Sequence, residues 1–589
     1  MRILFFFFAL LPAVFMAGSL AAQEPVKNPA VTTISPQATA DSLTDIEILG
    51  ASRLTILKVD DTTTLQILAG NVRLKQGKSF FSCDSCVLNN GIRFFEAWGN
   101  VHINDVDTVD VYAGHLRYFF GKKLAFLDGG VKLTDGKGTL TTPDLEYDLN
   151  TEIGIYRHGG KVVNKKTVLT SQEGWYYANI RDIYFKKNVE MKDPGYFIKT
   201  DSLLYNTQSQ TTRFIAETFI RDSSGRTIET KDGYYNMVSG KAEFGKRPVI
   251  RDKKTTIIGD EVAFNDSLGT SQARGNVVIV DSAQGTTILA GEVFRDNKKE
   301  RLLATRKPLM IIKQENDSIY VTADTLFSAR LSDLYAGRDS VSKDMIKGVQ
   351  VLSIGEKKPI KDSAALIPGS VPGKAAADSV LAVLPEKKDS LQLVKIPPGK
   401  DSTDRYFEAY RNVRIFSDSM QAVSDSLFYS FRDSVFRLFQ DPVLWSKESQ
   451  ITGDTVLLFT KNKKADRVRV FENSFLVNYS NPEIFNQVKS IRMEGWFREG
   501  NIDSVRAEGY AECIYYIQDE DSAYTGINES KSDIIDIFFA EKELDKVVFR
   551  SEVEGTIWPM KDKSPTEMRL KNFRWLESRR PKTKYELFE

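Results

Sequence analysis

Gly70-Asn71-Val72-Arg73-Leu74, Gly99-Asn100-Val101-His102-Ile103 and Gly129-Gly130-Val131-Lys132-Leu133 are three statements of one phrase. The phrase returns as Lys187-Asn188-Val189-Glu190-Met191 and Gly275-Asn276-Val277-Val278-Ile279. Weaker copies are Arg247-Pro248-Val249-Ile250 and Lys307-Pro308-Leu309-Met310-Ile311. The Asn-equivalent positions 71, 100, 130, 188, 248, 276 and 308 differ by 29, 30, 58, 60, 28 and 32. Each doubled gap holds a degenerate copy, one at Gly159-Gly160-Lys161 and one near Thr218. A fixed period of about thirty residues marks a repeat architecture.

A second phrase lies between the copies of the first, as Thr200-Asp201-Ser202-Leu203-Leu204-Tyr205-Asn206 and Ser424-Asp425-Ser426-Leu427-Phe428-Tyr429-Ser430. Looser forms are Pro143-Asp144-Leu145-Glu146-Tyr147-Asp148, Gly259 to Asn265 and Gly453 to Phe459. Both phrases alternate apolar and polar residues, which is the strand signal. Gly and Asn tolerate positive φ, so the Gly-Asn pair is expected to supply a turn. Each repeat then gives roughly two strands and two corners. Such a unit cannot bury its own apolar face and must stack on its neighbours, here expected as a coil of parallel-running layers. Nine layers at strand spacing reach on the order of 40 Å. In the first phrase Val72, Leu74, Val101, Ile103, Val131, Leu133, Val189, Met191, Val277 and Ile279 share one side. Leu145, Tyr147, Leu203 and Tyr205 share the apolar side of the second. Arg73, His102, Lys132 and Glu190 take the alternate positions of the first phrase. The charged side must face water, so the apolar side points inward between two sheets. A lipid-facing barrel would need the reverse arrangement.

The pattern breaks from about Leu334 to Asp404, where Pro, Ser, Lys and Asp dominate, and the stretch reads as a linker or long loop. It resumes at Arg405-Tyr-Phe-Glu-Ala-Tyr-Arg-Asn412-Val413-Arg414-Ile415, a close match to Arg93 through Ile103. The linker is therefore an insertion within one repeat array. At the N-terminus Arg2, the apolar run Ile3 to Ala17 and the small residues Gly18 to Ala22 read as an export signal. The expected organisation is a signal peptide at 1–22, a loose tail at 23–44, repeats over 45–334, an insertion over 335–404, a second repeat block over 405–580 and a tail at 581–589. The first layers, near Ile46 to Leu57, are expected to present an unpaired edge.

The 80 Lys and Arg against 79 Asp and Glu leave a net charge of +1, which gives no electrostatic reason to bind nucleic acid. Three His and three Cys supply little for a metal cluster, a His-based active site or a disulfide framework. No catalytic residue, metal ligand or cofactor site is expected, and the protein is read as a non-enzyme. Cys83-Asp84-Ser85-Cys86 aligns with the second phrase, which puts Cys86 at a core position, with a local disulfide as the alternative. Cys513 has no evident partner in the sequence. His102 replaces Arg or Lys at an outward position and is expected to be exposed, with His115 and His158 near other repeat corners. The recurring Asp201, Asp260, Asp324, Asp425 and Asp454 lack the ligand density of a calcium loop. They read instead as corner residues bonding local backbone N–H groups.

An exported chain with G-N-V-x-[LI] strands and intervening D-x-L-x-Y strands resembles the OstA-like family. That family includes the periplasmic lipopolysaccharide-transport protein LptA and the N-terminal domain of the translocon LptD. The match spans about Ile46 to Leu334 and Arg405 to about Val477. The resemblance implies an all-β fold, a repetitive open β-jellyroll with two sheets, solenoid-like, built of ~30-residue repeats. It also implies that the fourteen inward residues named above hold lipid A acyl chains of lipopolysaccharide. The implied partners are other lipopolysaccharide-transport components joined by edge-strand addition, with self-association as a further option. The implied location is the periplasm, any outer-membrane association being through partners. The chain is longer than a single-domain LptA and lacks the pattern of the LptD barrel. Two rival readings stand beside this one: a structural or adhesive β-solenoid with a closed core and no lipid, and a carbohydrate-active β-helix enzyme. The enzyme needs a carboxylate cluster on one outer face, and none rises above the repeated Asp.

Overall fold

The computed structural model describes residues 46–588 apart from 61–62, 106–108, 314–317, 336–403, 463, 520 and 541–542. The expected signal peptide, the N-terminal tail and all but the ends of the insertion lie outside the described residues. Strands dominate the described chain. Its first long strands are Thr64–Gln76, Ser79–Asn89, Phe94–Asp105, Val109–Phe119, Leu124–Thr134 and Thr139–Asp148, each antiparallel to the next. The expectation of parallel-running layers is therefore corrected. Tight connections such as Gly77-Lys78 reverse the chain, whereas a parallel pair needs a crossover of a dozen or more residues. Each repeat contributes two neighbouring strands, so the array advances roughly 10 Å per repeat, about twice the one-layer expectation.

Two cross-strand rows show how one strand serves two sheets. Leu68, Cys86, Ala97, Leu116, Leu127 and Leu145 are directly paired in one row. Leu74, Phe81, Ile103, Val111, Leu133 and Leu140 are paired in the other. Both rows are buried. Between them the register slips, at Ala69/Val72, Trp98/Val101 and Asp128/Val131. The slip coincides with two consecutive left-handed residues: Gly70-Asn71 (φ 78 and 49), Gly99-Asn100 (74 and 44) and Gly129-Gly130 (80 and 86). An extra residue in one strand of a pair bends that strand. The Gly-Asn pair is thus a corner inside a continuous strand, not a turn between strands as its composition suggested. Beyond Asp148 the corner is a break in some strands, whereas Asp182–Asp193, Thr270–Asp281 and Arg405–Phe416 keep it within one strand. Ile153–Tyr156 pairs with the end of Thr139–Asp148, and Gly160–Asn164 with its beginning. The halves thus part into the two sheets of a β-jellyroll, with the expected apolar side inward.

The corner aspartates do something the sequence reading did not foresee. Asp84 accepts a hydrogen bond from Asn100 Nδ2 at 2.9 Å, and Asp260 from Asn276 at 2.8 Å. Asp324 and Asn412, and Asp454 and Asn473, repeat the contact at 3.1 Å. The Asp of one phrase is the partner of the Asn of the other, across neighbouring strands, rather than a cap for its own backbone. Asp201 differs and accepts from Ser202 Oγ. Where Asp441 stands in the Asn position it is matched by Arg574 and Arg579 from the C-terminal segment.

Strands flanking the insertion pair with each other, Arg330 opposite Arg405, and Ser332 N–H donates to Asp404 Oδ1 at 2.9 Å. The strands of the two repeat blocks thus share one sheet. The tail expected to be loose at 581–589 is docked, with Leu587 buried against Leu309 and Phe416. Residues 564–588 run as a strap over the outer face of one sheet. There Gln421, Trp445, Gln450, Val477 and Gln487 form a cross-strand row. Gln487 bonds Met568 O and Leu570 N–H, and Gln450 bonds Arg574 O and Leu576 N–H, at 2.7–3.0 Å. Side-chain amides standing in for a neighbouring strand leave no periodic apolar trace in the strap itself.

A Cβ on Gly99 would meet Asp84 Oδ2 at 2.3 Å, in a left-handed backbone. Gly99→Ala should therefore cost about 1–3 kcal/mol, read as a lowered urea midpoint. Asn100→Ala, which loses the hydrogen bond and puts Ala in a left-handed backbone (φ 44), should also cost about 1–3 kcal/mol. Equal stability of Gly99→Ala and wild type would show that the corner does not need its glycine.

Candidate functional site: the apolar interior and its mouth

All fourteen inward positions reach the interior. Val72, Leu74, Val101, Ile103, Val131, Leu133, Val189, Met191, Val277 and Ile279 lie just after a corner, in one sheet. Leu145, Tyr147, Leu203 and Tyr205 lie in the facing half-strands. They belong to one contiguous apolar cluster running from Leu68 to Ile537, and none is more than 5% exposed. The interior around them is filled by side chains rather than left as an open groove. A cavity of about 10 Å³ lies among Ile198, Phe214, Ile220, Phe244 and Phe264, below Tyr196, Tyr235 and Arg226.

The geometry of the strands fixes where this interior can be reached. Along one side each strand passes from sheet to sheet through its corner, and that side is closed by backbone. Along the other side the sheets end in two facing rows of turns, joined by side chains alone. Tyr118 at one row donates to Gln76 Oε1 at the other at 2.6 Å, and Gln76 Nε2 donates back to Phe120 O at 3.0 Å. Tyr147 reaches Asp105 at 3.5 Å, and Tyr176 reaches Asp135 at 3.0 Å. Asn164 Nδ2 donates to Thr207 O at 2.9 Å, while Thr207 Oγ1 donates to Asp135 at 2.8 Å. Tyr235 donates to Tyr196, which donates to Asp266, and Arg226 joins Asp266 at 3.1 Å. Asp135 serves both rows: Oδ1 accepts the Lys137 and Gly138 N–H groups of its own turn, and Oδ2 accepts across the mouth. Burial works against its charge, but those N–H groups and hydroxyls outweigh it and hold the carboxyl below its ordinary 3.8.

Tyr205 is the exception in this row. It is fully buried, and its hydroxyl meets no partner at hydrogen-bond geometry although Asn164 lies beside it. Burial pushes its pKa up to about 12, so it stays a neutral phenol. The sequence reading named Tyr147 and Tyr205 but missed Tyr118, Tyr176 and Tyr235 and the residues facing them. The signal was present: tyrosines at 118, 147, 176, 205 and 235, and strand-end aspartates at 105, 135, 193, 222, 252 and 281, keep the same period.

Other chemistry-bearing residues fall outside this interior or inside its packing. Cys86 lies in the buried row, as expected, and Cys83 and Cys513 are buried too; all three are free. Among the described residues no group of His, Cys, Asp and Glu is placed to hold a metal ion, and no helix is long and apolar enough to cross a membrane. A polar cavity of about 610 Å³ lies under the strap, lined by Arg414, Asp425, Asp441, Arg579 and Arg580 among others. His102, expected to be exposed, is half-buried. Its Nε2 meets Asp110 at 2.8 Å and its ring lies flat against Tyr112, with centroids 4.4 Å apart. His158 is exposed and bonded to Asp144.

His115 lies between Glu96 (2.9 Å) and Asp128 (3.0 Å) on the outer face. Burial opposes its charge, but Asp128 and Glu96 outweigh it and raise the pKa above 6.5. A raised folded-state pKa gives stabilisation that is full below the unfolded value and lost as pH rises through the folded one. Stability should therefore fall above pH 6.5, and His115→Gln should flatten that part of the profile. An unchanged slope in the variant would show that another group carries it.

Residues 44–201 match the family model described as OstA-like protein. No curated protein matches the chain. Among solved structures, the chain is similar to LptH of Pseudomonas aeruginosa, described as the LptA-homologous periplasmic component of the conserved lipopolysaccharide transport device. That likeness has 18% identity, covers 18% of this chain and 79% of that one, and has a TM-score of 0.17. The match to the OstA-like family model over residues 44–201 falls on the stretch that carries the repeat phrases and the all-β fold.

Proposed function

We propose that the protein is a periplasmic lipid-binding bridge or chaperone in lipopolysaccharide transport to the outer membrane. It acts without catalysis or cofactor, and holds acyl chains between its two sheets. The observation that carries this reading is one apolar interior running through an OstA-like chain from Leu68 to Ile537. Burial of an acyl chain in such an interior contributes about 0.8 kcal/mol per CH₂. The packing of the fourteen inward residues favours the rival, a closed structural solenoid, in the state seen here. The two readings part on whether lipid can enter. Photo-crosslinking residues at Val131 and Leu203 should capture lipopolysaccharide, and one at outward Lys132 should not. Val131→Asp should abolish capture or folding. Capture at Lys132 alone would leave the solenoid reading standing.

The proposed partners are other transport components, or a second copy, joined by strand addition at the first edge. Glu47–Gly50 and Arg53–Lys58 pair only with Thr64–Gln76 among the described residues. Leu54, Ile56 and Leu57 on the second of these strands are 49%, 65% and 49% exposed, which is costly for an edge with no partner. A partner strand there would gain a full ladder and cover these side chains. Ile56→Pro removes one backbone donor at the edge. It should reduce crosslinking from positions 46–57 to an envelope partner by several-fold while the thermal transition shifts little. An unchanged crosslinking pattern in the folded variant would place assembly elsewhere.

A further inference from the structure

We propose that the mouth between the two rows of turns, from Gln76 to Asp266, is a lateral gate through which an acyl chain enters the interior, latched by the tyrosine row. The proposal rests on the carrier reading above and adds where the chain enters and what holds the entrance shut. Three observations carry it. The corner side is closed by continuous backbone, so opening there would break strands, whereas the mouth is closed by side chains only. The latches recur with the repeat, Tyr118 on Gln76, Tyr147 on Asp105 and Tyr176 on Asp135, each reaching back 41 or 42 residues. A closed core needs no such row, because Phe in place of each Tyr would fill the same space with no polar group to satisfy. One member is held more loosely: the buried Tyr205 hydroxyl lies beside Asn164 but outside good hydrogen-bond geometry, a latch position not fully engaged in the closed state.

The chemistry of the rim sets the ligand class. Behind the latches lie mostly apolar side chains such as Leu133, Val189 and Leu203, which accept hydrocarbon, and the buried hydroxyls among them, such as Thr200, Thr212 and Thr218, already have partners. At the rim lie hydroxyls, amides and carboxylates that already bond their own turns, as Asp135 does with Lys137 and Gly138. A ligand that fits both zones is an amphiphile with one or more acyl chains inside and a hydroxylated polar head left at the rim. Once a chain is inserted, the displaced tyrosine hydroxyls keep partners at the head group or in water, so opening leaves no buried polar group orphaned.

The test uses the full chain with Tyr118, Tyr147 and Tyr176 all changed to Phe, which keeps every ring in place. Hydrogen–deuterium exchange is measured without lipid. Uptake of a fluorescent long-chain fatty acid and of lipopolysaccharide is measured by stopped-flow. Exchange at turns 135–138 and 178–181 should rise at least tenfold while the corner amides of Asn100 and Asn188 stay as in wild type. Uptake should be several-fold faster, with a similar final amplitude. Faster uptake of the fatty acid alone would identify a simple acyl amphiphile, and of both probes a glycolipid as well. Unchanged exchange at the turns, or a rise shared equally by the corners, overturns the latch. Loosened turns with unchanged uptake overturn the mouth as entrance while leaving the carrier reading intact. If neither protein takes up either probe, the carrier reading fails and the gate with it.

Discussion

The fold depends on one backbone constraint: two consecutive residues in left-handed conformation at the middle of a strand that must stay paired on both sides. The extra residue bends the long strands without ending them, so each of these lines two sheets, and where the strand is broken at the corner its two halves still add to both. The cost of left-handed backbone for ordinary residues is of order 1–3 kcal/mol. Glycine bears it easily at 70, 99, 129 and 275, but Lys187, Arg306, Arg411 and Tyr510 adopt the same conformation without that advantage. What holds those corners is the ladder on either side and, at 412 and 473, the Asn–Asp hydrogen bond between neighbours. The corner side is thereby the rigid spine of the jellyroll.

A consequence is that the opposite side must be closed differently. No backbone passes there between the sheets, and an unlatched mouth would expose the apolar rows to water. From Gln76 to Asp266 the repeat answers this with a row of tyrosines, four of which reach a polar group on the facing row. The strap does the corresponding work on the outer face further along, where strands such as Val443–Ser446 and Ser449–Thr452 are buried on both sides. Gln450 and Gln487 mimic a strand edge for a segment with no strand of its own.

Much of this was legible in the sequence because period-two alternation and a thirty-residue repeat are local signals. Val101, Leu133 and Tyr205 could be placed inward from alternation alone, and residues 405–415 could be joined to the array from their likeness to 93–103. The direction of neighbouring strands was not legible, because Gly-Asn can make a hairpin turn or a corner, and only the cross-strand register separates the two. The Asp84–Asn100 pair was hidden for a related reason: both residues were noticed, but each was assigned to its own strand. His102 was misplaced because its burial comes from Asp110 and Tyr112 on the next strand, not from its own alternation. The strap was unreadable because its contacts are backbone groups bonded to distant glutamines, a relation its own residues do not encode.

The filled interior and the carrier reading are reconciled by comparing magnitudes. Each latch is an ordinary hydrogen bond, worth about 0.5–1.5 kcal/mol net, and opening exchanges it for water rather than for nothing. Parting the apolar rows costs more, because the sheets must give up packed contacts. An entering acyl chain restores those contacts with its own methylenes at about 0.8 kcal/mol each, so a chain of a dozen or more offsets several latches. A short or strongly polar molecule does not. The gate proposed above requires the sheets to spread about the corners, where they are joined by a bend in the backbone rather than by packing alone. On the proposed carrier reading the closed state is the resting form, and selectivity for long acyl chains would follow from the number of latches that must open together.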